Sequence, residues 1–478
     1  MTATFAPTLP IIIQGGMGVA VSSWQLARAV SMHGQLGVVS GTCIDTVFVR
    51  RLQDGDVGGH LRRAMERFPL PEVSAEALRK YFLPEGREPD APYKLLSMWH
   101  EKATLARQRM AVLASFVEVS LAKEAHDGPV GVNLLTKVQL PNLATLYGAM
   151  LAGVDYVLMG AGIPKEIPGI LDAFAAGAPA TMRLEVEEIE RGMKHDLVFD
   201  PRDHFDGAPA PELKRPKFLP IVSSHSLATM LMRKSNGRVD GFVVEGPTAG
   251  GHNAPPRGGT VLDEAGEPVY GPRDDADLAA MSALGLPFWV AGGMTTPEEV
   301  QRVRDAGATG VQVGTLFAFS KESGLMPPLR DEVLHELTAG RLKVSTDVRA
   351  SPTGFPFKVV HLAGTNAGPD DYQRRPRLCD LGYLRTPYRR EDGRIGYRCP
   401  AEPIADFAKK GGAPEETAGR KCLCNGLLAN IGHPQRKGGE VERPLLTGGS
   451  DLDQVREFAK VHPGYTATDV VEYLLGHA

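Results

Sequence analysis

Eight short runs rich in β-branched and other apolar residues, separated by stretches of helical character, predict an α/β chain whose parallel sheet is buried on both faces. The runs are 10–14, 36–40, 130–134, 154–159, 219–223, 241–245, 287–291 and 310–314. Eight strands point to closure as a (β/α)8 TIM barrel, carrying a helical insertion and an appended C-terminal region. An open doubly wound sheet is the alternative, because periodicity alone does not establish closure.

The connections support the alternation. Segment 22–33 (SSWQLARAVSMH) opens on cap-forming serines and stops at Gly34, so it reads as the helix between the first two strands. After Met294, Thr296 caps a helix with Pro297 in its first position and Glu298 and Glu299 in its first turn, ending near Gly307 just ahead of the eighth strand. Two connections are long. Segment 54–123 is helix-rich and broken by Pro69 and Pro71; segment 183–217 is charged and proline-containing. Loops after barrel strands build active sites, so the first insertion is expected to cover the pocket and the second to shape its rim, unless either makes a subunit interface. From about Asp370 the pattern changes to basic, proline- and glycine-containing pieces (RRPRLCDLGYLRTPYRREDGRIGYRCP), with a helix over 451–460. The expected division is a barrel domain at 1–368, with insertions at about 54–123 and 183–217, and an extension at 369–478 packed on it. There is no internal repeat.

Composition narrows the function classes. The 478 residues are 42% hydrophobic and 23% charged, which is ordinary for a folded globular chain. Lys and Arg number 53 against 57 Asp and Glu, a net charge of -4, so nothing global draws the chain to nucleic acid or an anionic membrane. The opening MTATFAPTLPIIIQGG has no basic region before its apolar run, and no window reaches the roughly 18 apolar residues of a membrane span. A cytoplasmic chain with a small-molecule substrate is expected, binding neither nucleic acid nor membrane.

The most informative motif is the sixth run with its loop, 241–259, GFVVEGPTAGGHNAPPRGG. A buried strand ends in a turn that brings Gly250 and Gly251 close to a flat ligand and then presents His252 at the mouth, where barrel chemistry occurs. Imidazole titrates near neutrality and can take a proton from an acidic C–H or return one; the ordinary role of a lone histidine in such a loop is structural. Gly292-Gly293 after the seventh run and Gln312 to Thr315 at the eighth form the paired turns from which amides point at a phosphate, although Gly292, Gly293 and Gly314 could each serve only a tight turn. Gln14-Gly15-Gly16-Met17 after the first run offers close backbone approach, and Asn133 a carboxamide that both donates and accepts. Core packing is the usual task of a residue like Met17, and a turn or cap that of Asn133. Ser223, Ser224 and His225 could reach a ligand ring or phosphate but are better read as a helix cap, and Arg257 could meet an anionic substrate or dinucleotide phosphate, with an exposed loop ion pair its ordinary role. The stretch 351–356 (SPTGFP) is expected as a structured loop over the barrel.

In this order, PIIIQGGMG, GVNLL, EGPTAGGHN, VAGGM and GVQVGT resemble the nitronate monooxygenase family, formerly called 2-nitropropane dioxygenases, whose framework flavin-dependent enoyl-ACP reductases share. The resemblance covers roughly 10–364, interrupted by the two insertions. It implies an FMN whose phosphate lies near Gly292, Gly293, Gly314 and Thr315 and whose ring lies near Met17, Asn133 and Gly250; Gln14, Gly15, Gly16, Glu245, Gly251 and Gln312 complete the expected cofactor set. His252 matches the family's active-site histidine. The implied activity is FMN-dependent oxidation of alkyl nitronates or related carbanions with O2. The alternative is an enoyl reductase of the trans-acting fatty acid or polyketide type, or a quinone reductase, with NAD(P)H as co-substrate; a non-catalytic flavin-binding scaffold is a minor alternative. An acyl-carrier protein is the expected partner of a reductase, and a second copy of the chain the partner if an insertion forms an interface. Two features depart from the family pattern. Glu245 stands where relatives commonly carry glutamine, and an anion there would disfavour negative charge on reduced flavin unless protonated or paired. The insertion and extension exceed a minimal member and resemble the trans-acting enoyl reductases.

Four of the five cysteines, Cys379, Cys399, Cys422 and Cys424, are spaced C-x19-C-x22-C-x-C. Four thiolates suit a structural zinc or an iron–sulfur cluster, although the spacing lacks the paired C-x-x-C knuckles of common ribbons. Reduced structural thiols are the alternative, with disulfides least expected in a cytoplasmic chain. Cys43 stands apart and is expected to pack.

Overall fold

A computed structural model of the protein describes residues 9–190, 192–205 and 208–477. The expectations placed on 1–8, on 191 and 206–207 within the second insertion, and on 478 lie outside the described residues. All eight runs are strands: β1 (Ile12–Gln14), β2 (Gly37–Ser40), β3 (Val130–Leu135), β4 (Tyr156–Gly160), β5 (Lys217–Val222), β6 (Phe242–Glu245), β7 (Phe288–Ala291) and β8 (Gly310–Val313). They pair in parallel in the order β1-β8-β7-β6-β5-β4-β3-β2. The ring closes between its ends: Ile13 bridges Leu36, the Gln14 amide donates to the Leu36 carbonyl at 2.9 Å, and the Leu36 amide donates to Ile12 at 3.0 Å. The barrel is therefore closed, and the open sheet is set aside.

Closure explains the run composition. Ile13, Val38, Leu158, Leu219, Val243 and Trp289 fill the interior as a core of their own, while Ile12, Val39, Val132, Phe242 and Val311 face the surrounding helices. Strands buried on both sides cannot alternate polar and apolar residues, hence the continuous runs. Trp289 sits inside because its indole N–H reaches the Pro10 carbonyl at 2.8 Å.

The helix Trp24–Ser31 starts at Ser23, whose side chain accepts from the Leu26 amide, and Pro297–Asp305 starts in a Thr296/Glu299 capping box, as their sequences predict. The helix expected over 451–460 is Asp453–Val461.

The first long connection differs from expectation in one respect. Leu105–Ala122 is the barrel's own helix ahead of β3, buried almost throughout and packed on Trp24–Ser31, Ile44–Gln53 and Asn142–Leu151. The inserted part is the stretch before it, with helices His60–Met65 and Pro71–Tyr81. Pro71 does not break a helix; it opens one, at a position whose N–H would be unpaired anyway.

The second insertion holds an antiparallel hairpin, Ala180–Leu184 with His195–Phe199, not anticipated from its charged sequence. Leu197 and Phe199 are buried while Val198 between them is exposed, and Phe199 packs on the Tyr147 and Phe174 rings at 5.3 and 5.4 Å.

The residues beyond the barrel add hairpins Lys343–Asp347/Phe357–His361 and Thr386–Arg389/Ile395–Arg398 and a helix, Leu423–Asn430. They are joined to the barrel by buried polar contacts. Asp45 pairs with Arg107 at 2.7 Å, accepts from the Trp99 indole at 3.1 Å and from the Tyr383 hydroxyl, and so connects helix Ile44–Gln53, the insertion and the extension. Arg50, also buried, donates to the His433 carbonyl at 2.6 Å. Among the described residues no helix is long and apolar enough to cross a membrane.

Candidate active site

The C-terminal ends of the barrel strands open into a cavity of about 400 Å³. Gly15, Gly16, Met17, Asn133, Glu245, Gly250, Gly251, His252, Gly292, Gly293, Gln312, Gly314 and Thr315 all line it. Gln14 does not, and its reading as a ligand-binding residue is corrected. Its side chain is fully buried, donating to the Gly15 carbonyl and to Ser22 Oγ at 2.7 Å and accepting from the Val38 amide at 3.0 Å. With those groups used, Gln14 clamps β1 to β2.

One end of the cavity is a set of glycine turns. Gly292 and Gly293 have φ of 97° and 70°, conformations that favour glycine, and a Cβ on Gly292 would lie 2.9 Å from Thr248 Oγ1. Thr315 opens the short helix after β8, and its hydroxyl accepts from the Gly449 amide at 2.8 Å. Gly449 belongs to a second glycine loop, Thr447 to Ser450, that the sequence reading missed. Thr447 Oγ1 accepts from the Gly251 amide at 2.8 Å and the Ser450 amide donates to the Thr248 carbonyl at 3.0 Å. Gly250 is small for this loop: a Cβ there would meet the Gly448 carbonyl carbon at 2.8 Å. The run TGGS, small hydroxyls flanking two glycines, was the available signal.

The cavity wall also presents carboxamides. Asn133 donates to the Gly16 carbonyl at 3.1 Å, while its Oδ1 is buried without a partner; Gln312 Oε1 is in the same condition. β1 and β3 approach so closely here that a Cβ on Gly16 would fall 2.1 Å from that of Asn133. Two unpaired buried acceptors facing a cavity require donors from whatever fills it.

His252 stands at the mouth. Its Nε2 is hydrogen-bonded to Ser351 Oγ at 2.7 Å, and its ring packs edge-on against Phe357 at 4.9 Å. What surface it exposes faces the cavity, and burial depresses its pKa to about 4, so the imidazole is neutral at pH 7. The 351–356 loop does lie over the barrel: Ser351 orients the histidine and Phe355 joins the cavity wall. Burial pushes the Glu245 carboxyl up to about 8, against a smaller opposing pull from Lys358. Lys358 itself donates to Thr346 Oγ1 at 2.6 Å. Glu245 is therefore protonated at pH 7 and places no negative charge in the cavity.

The weaker candidates divide. Ser224 caps helix His225–Lys234, as expected, while Ser223 lines the cavity. The Arg257 guanidinium donates to the Ser223 carbonyl at 2.7 Å instead of making the expected ion pair, because the backbone oxygen rather than an acid lies within its reach. Cys43 is buried ahead of Ile44–Gln53. The other four cysteines are free and border one small void in the extension. Among the described residues no three His, Cys, Asp or Glu side chains are placed to hold a single metal ion, so a mononuclear zinc at these cysteines is not supported.

A closed eight-stranded barrel with glycine turns after β7 and β8 and a histidine after β6 defines an α/β barrel whose ligand site lies at the C-terminal ends of its strands. Residues 206–354 match the family described as nitronate monooxygenase, the family that the ordered motifs resemble. A "Probable nitronate monooxygenase" of Bacillus subtilis (strain 168) is 32% identical over 123 residues, which is 26% of this chain and 33% of the relative. The chain thus spans about a third of the length of that curated relative. Among solved structures, FabK from Thermotoga maritima aligns over 98% of this chain and 93% of its own, with 17% identity and a TM-score of 0.47. Nitroalkane oxidase from Streptomyces ansochromogenes aligns over 98% and 95%, with 16% identity and a TM-score of 0.46.

Proposed function

We propose that the protein is an FMN-dependent oxidoreductase that oxidises alkyl nitronates, or carbanions of the same kind, with O2. The observation that carries the proposal is the convergence on one cavity of a glycine-turn cradle, two partnerless carboxamide oxygens and a neutral histidine. FMN fits these residues. Gly292, Gly293, Gly314 and Thr315 would hold its phosphate, and the ring's N–H edge would supply the donor that Asn133 Oδ1 and Gln312 Oε1 lack. When bound, FMN supplies the capacity to take electrons from a carbanion and pass them to oxygen.

The protein's part is electrostatic and positional. With a pKa of about 4, His252 is a weak base, suited to orienting a substrate that arrives already ionised, as a nitronate does, rather than to deprotonating a neutral one. Glu245, held neutral, adds no repulsion and can donate a hydrogen bond to an anion, a role open to a carboxylic acid only while its pKa is raised.

Glu245 also favours a second reading. A protonated carboxyl inside the cavity is a proton source for the enolate carbon, or quinone oxygen, left negative when hydride adds at the other end of the conjugated system, which an NAD(P)H-dependent enoyl or quinone reductase requires; an acyl substrate would then arrive on a carrier protein. Anaerobic titration of the purified protein separates the two. Bleaching of the flavin by a nitronate alone supports the oxidase, bleaching by NADH or NADPH the reductase, and a colourless protein that refuses FMN overturns both.

A further inference from the structure

The residues beyond the barrel pack partly into the main core, through Leu381, Tyr383, Leu428, Phe458 and Tyr465 among others, and partly around a small cluster of their own, Ala350, Phe357, Val359, Ala367, Leu423 and Leu445. Leu423 also borders a void lined by four cysteines. Cys379, Cys399, Cys422 and Cys424 come from three separate pieces of chain. Cys379 precedes hairpin Thr386–Arg389/Ile395–Arg398, Cys399 follows it, and Cys422 and Cys424 begin helix Leu423–Asn430. All four nevertheless border the same void, and none is in a disulfide.

We infer that this four-cysteine pocket binds an iron–sulfur cluster. The arrangement of the thiols selects that class of cofactor. They surround one space without three of them converging on a point that a lone metal ion could share. Thiolates of a polynuclear cluster stand apart in this way, because they bind different irons around an inorganic core. The surroundings suit an anionic cluster. The Asn425 side-chain amide donates toward Cys422 Sγ at 3.8 Å, and the backbone amides of Asn425 and Ala401 hydrogen-bond to Cys422 and Cys399. Arg385 lines the void; Glu402, the acid that also lines it, is neutralised by Lys410 at 2.6 Å. Donors to sulfur and nearby cations are the features by which proteins hold and tune such clusters.

The position ties the site to the main cavity. Leu427 and Asn430, on the helix that the cysteines begin, line the catalytic cavity, and Pro352 of the void adjoins Ser351, the partner of His252. An eight-residue helix is about 12 Å long, so a cluster here anchors one wall of the active site from behind.

The test is metal and sulfide analysis of the full-length protein purified without oxygen. Iron and acid-labile sulfide are expected in equal amounts, about two or about four of each per chain, with a paramagnetic signal on dithionite reduction. Cys399→Ser and Cys424→Ser should lose most of the iron, while Cys43→Ser, altered at the cysteine outside the void, should keep it. Should the first two variants fail to fold, wild-type protein stripped by chelator and supplied anaerobically with ferrous iron and sulfide provides the same readout. About one zinc per chain with no sulfide would overturn the inference, as would wild-type protein that stays iron-free after reconstitution. FMN content, measured separately, keeps this result independent of the flavin proposal.

Discussion

His252 Nε2 and Ser351 Oγ lie 2.7 Å apart although 99 positions separate them in sequence. The histidine is delivered by β6 and its orienting hydroxyl by a loop outside the eight barrel strands, so the geometry at the cavity mouth depends on both parts of the chain. His252→Ala should retain flavin while kcat falls by at least ~100-fold, the usual loss when a positioned imidazole is removed. Ser351→Ala should lower kcat by about tenfold, equivalent to about 1.4 kcal/mol. Steady-state kinetics beside flavin absorbance measures both, and full activity in His252→Ala would remove the histidine from the mechanism.

Glu245 gives a pH dependence of definite sign. Its pKa is raised from 4.5 to about 8, so between those values the folded chain binds more protons than the unfolded one, and the contribution to stability, full below 4.5, falls as pH rises from there and is lost by about 8. The depressed pKa of His252 acts oppositely, costing stability as pH falls from 6.5 toward about 4. Glu245→Gln should flatten the fall of melting temperature between about pH 4.5 and 8 and remove the loss of activity as pH rises through about 8, leaving the His252 contribution below pH 6.5 in place. An alkaline limb that survives the substitution would place its origin elsewhere.

The glycine turns predict a separable defect. Gly292→Val forces a side chain into a φ of 97° and against Thr248, and Gly250→Ala pushes on the loop from Thr447 to Ser450. Each should weaken FMN binding by about tenfold or more, about 1.4 kcal/mol, with the barrel still folded by circular dichroism. Unchanged flavin occupancy in both would count against a phosphate site there.

Asp45 is held below the ordinary carboxylate range: burial alone would raise its pKa, but Arg107 and the Tyr383 and Trp99 hydrogen bonds outweigh that. Its contribution is present above the unfolded carboxylate pKa and lost as pH falls through the depressed folded value. Asp45→Ala would leave Arg107 charged and buried without its partner, at a cost of about 3–5 kcal/mol. Denaturant unfolding at neutral pH would show this as a lowered midpoint, and an unaltered midpoint would mean that Arg107 finds another partner.

The barrel was legible because a strand buried on both faces must be written as an apolar run, and because Ser23 and Thr296 announce their helices. Leu105–Ala122 was counted into the insertion because a helix buried all round carries no amphipathic period to set it apart. Gln14 was misread through its glycine neighbours; its actual partners, Ser22 and Val38, are visible only once β1 and β2 are side by side. The hairpin at His195–Phe199 alternates over too few positions, among too many charges, to stand out. Ser351 and the Thr447 to Ser450 loop reach the site through contacts between distant segments, which no local pattern reports.

The loop from Thr447 to Ser450 also sets an order of assembly. Every strand of the barrel is synthesised long before this segment, so a nascent chain can close its barrel while the glycine-turn end of the cavity still lies open. A chain cut short of Leu446 would lose the cover over Gly250, Gly251 and Thr315 together with Val455, Phe458, Tyr465 and Val471, which pack into the main core, so the closing of the cavity and the completion of the core fall to the same late segment.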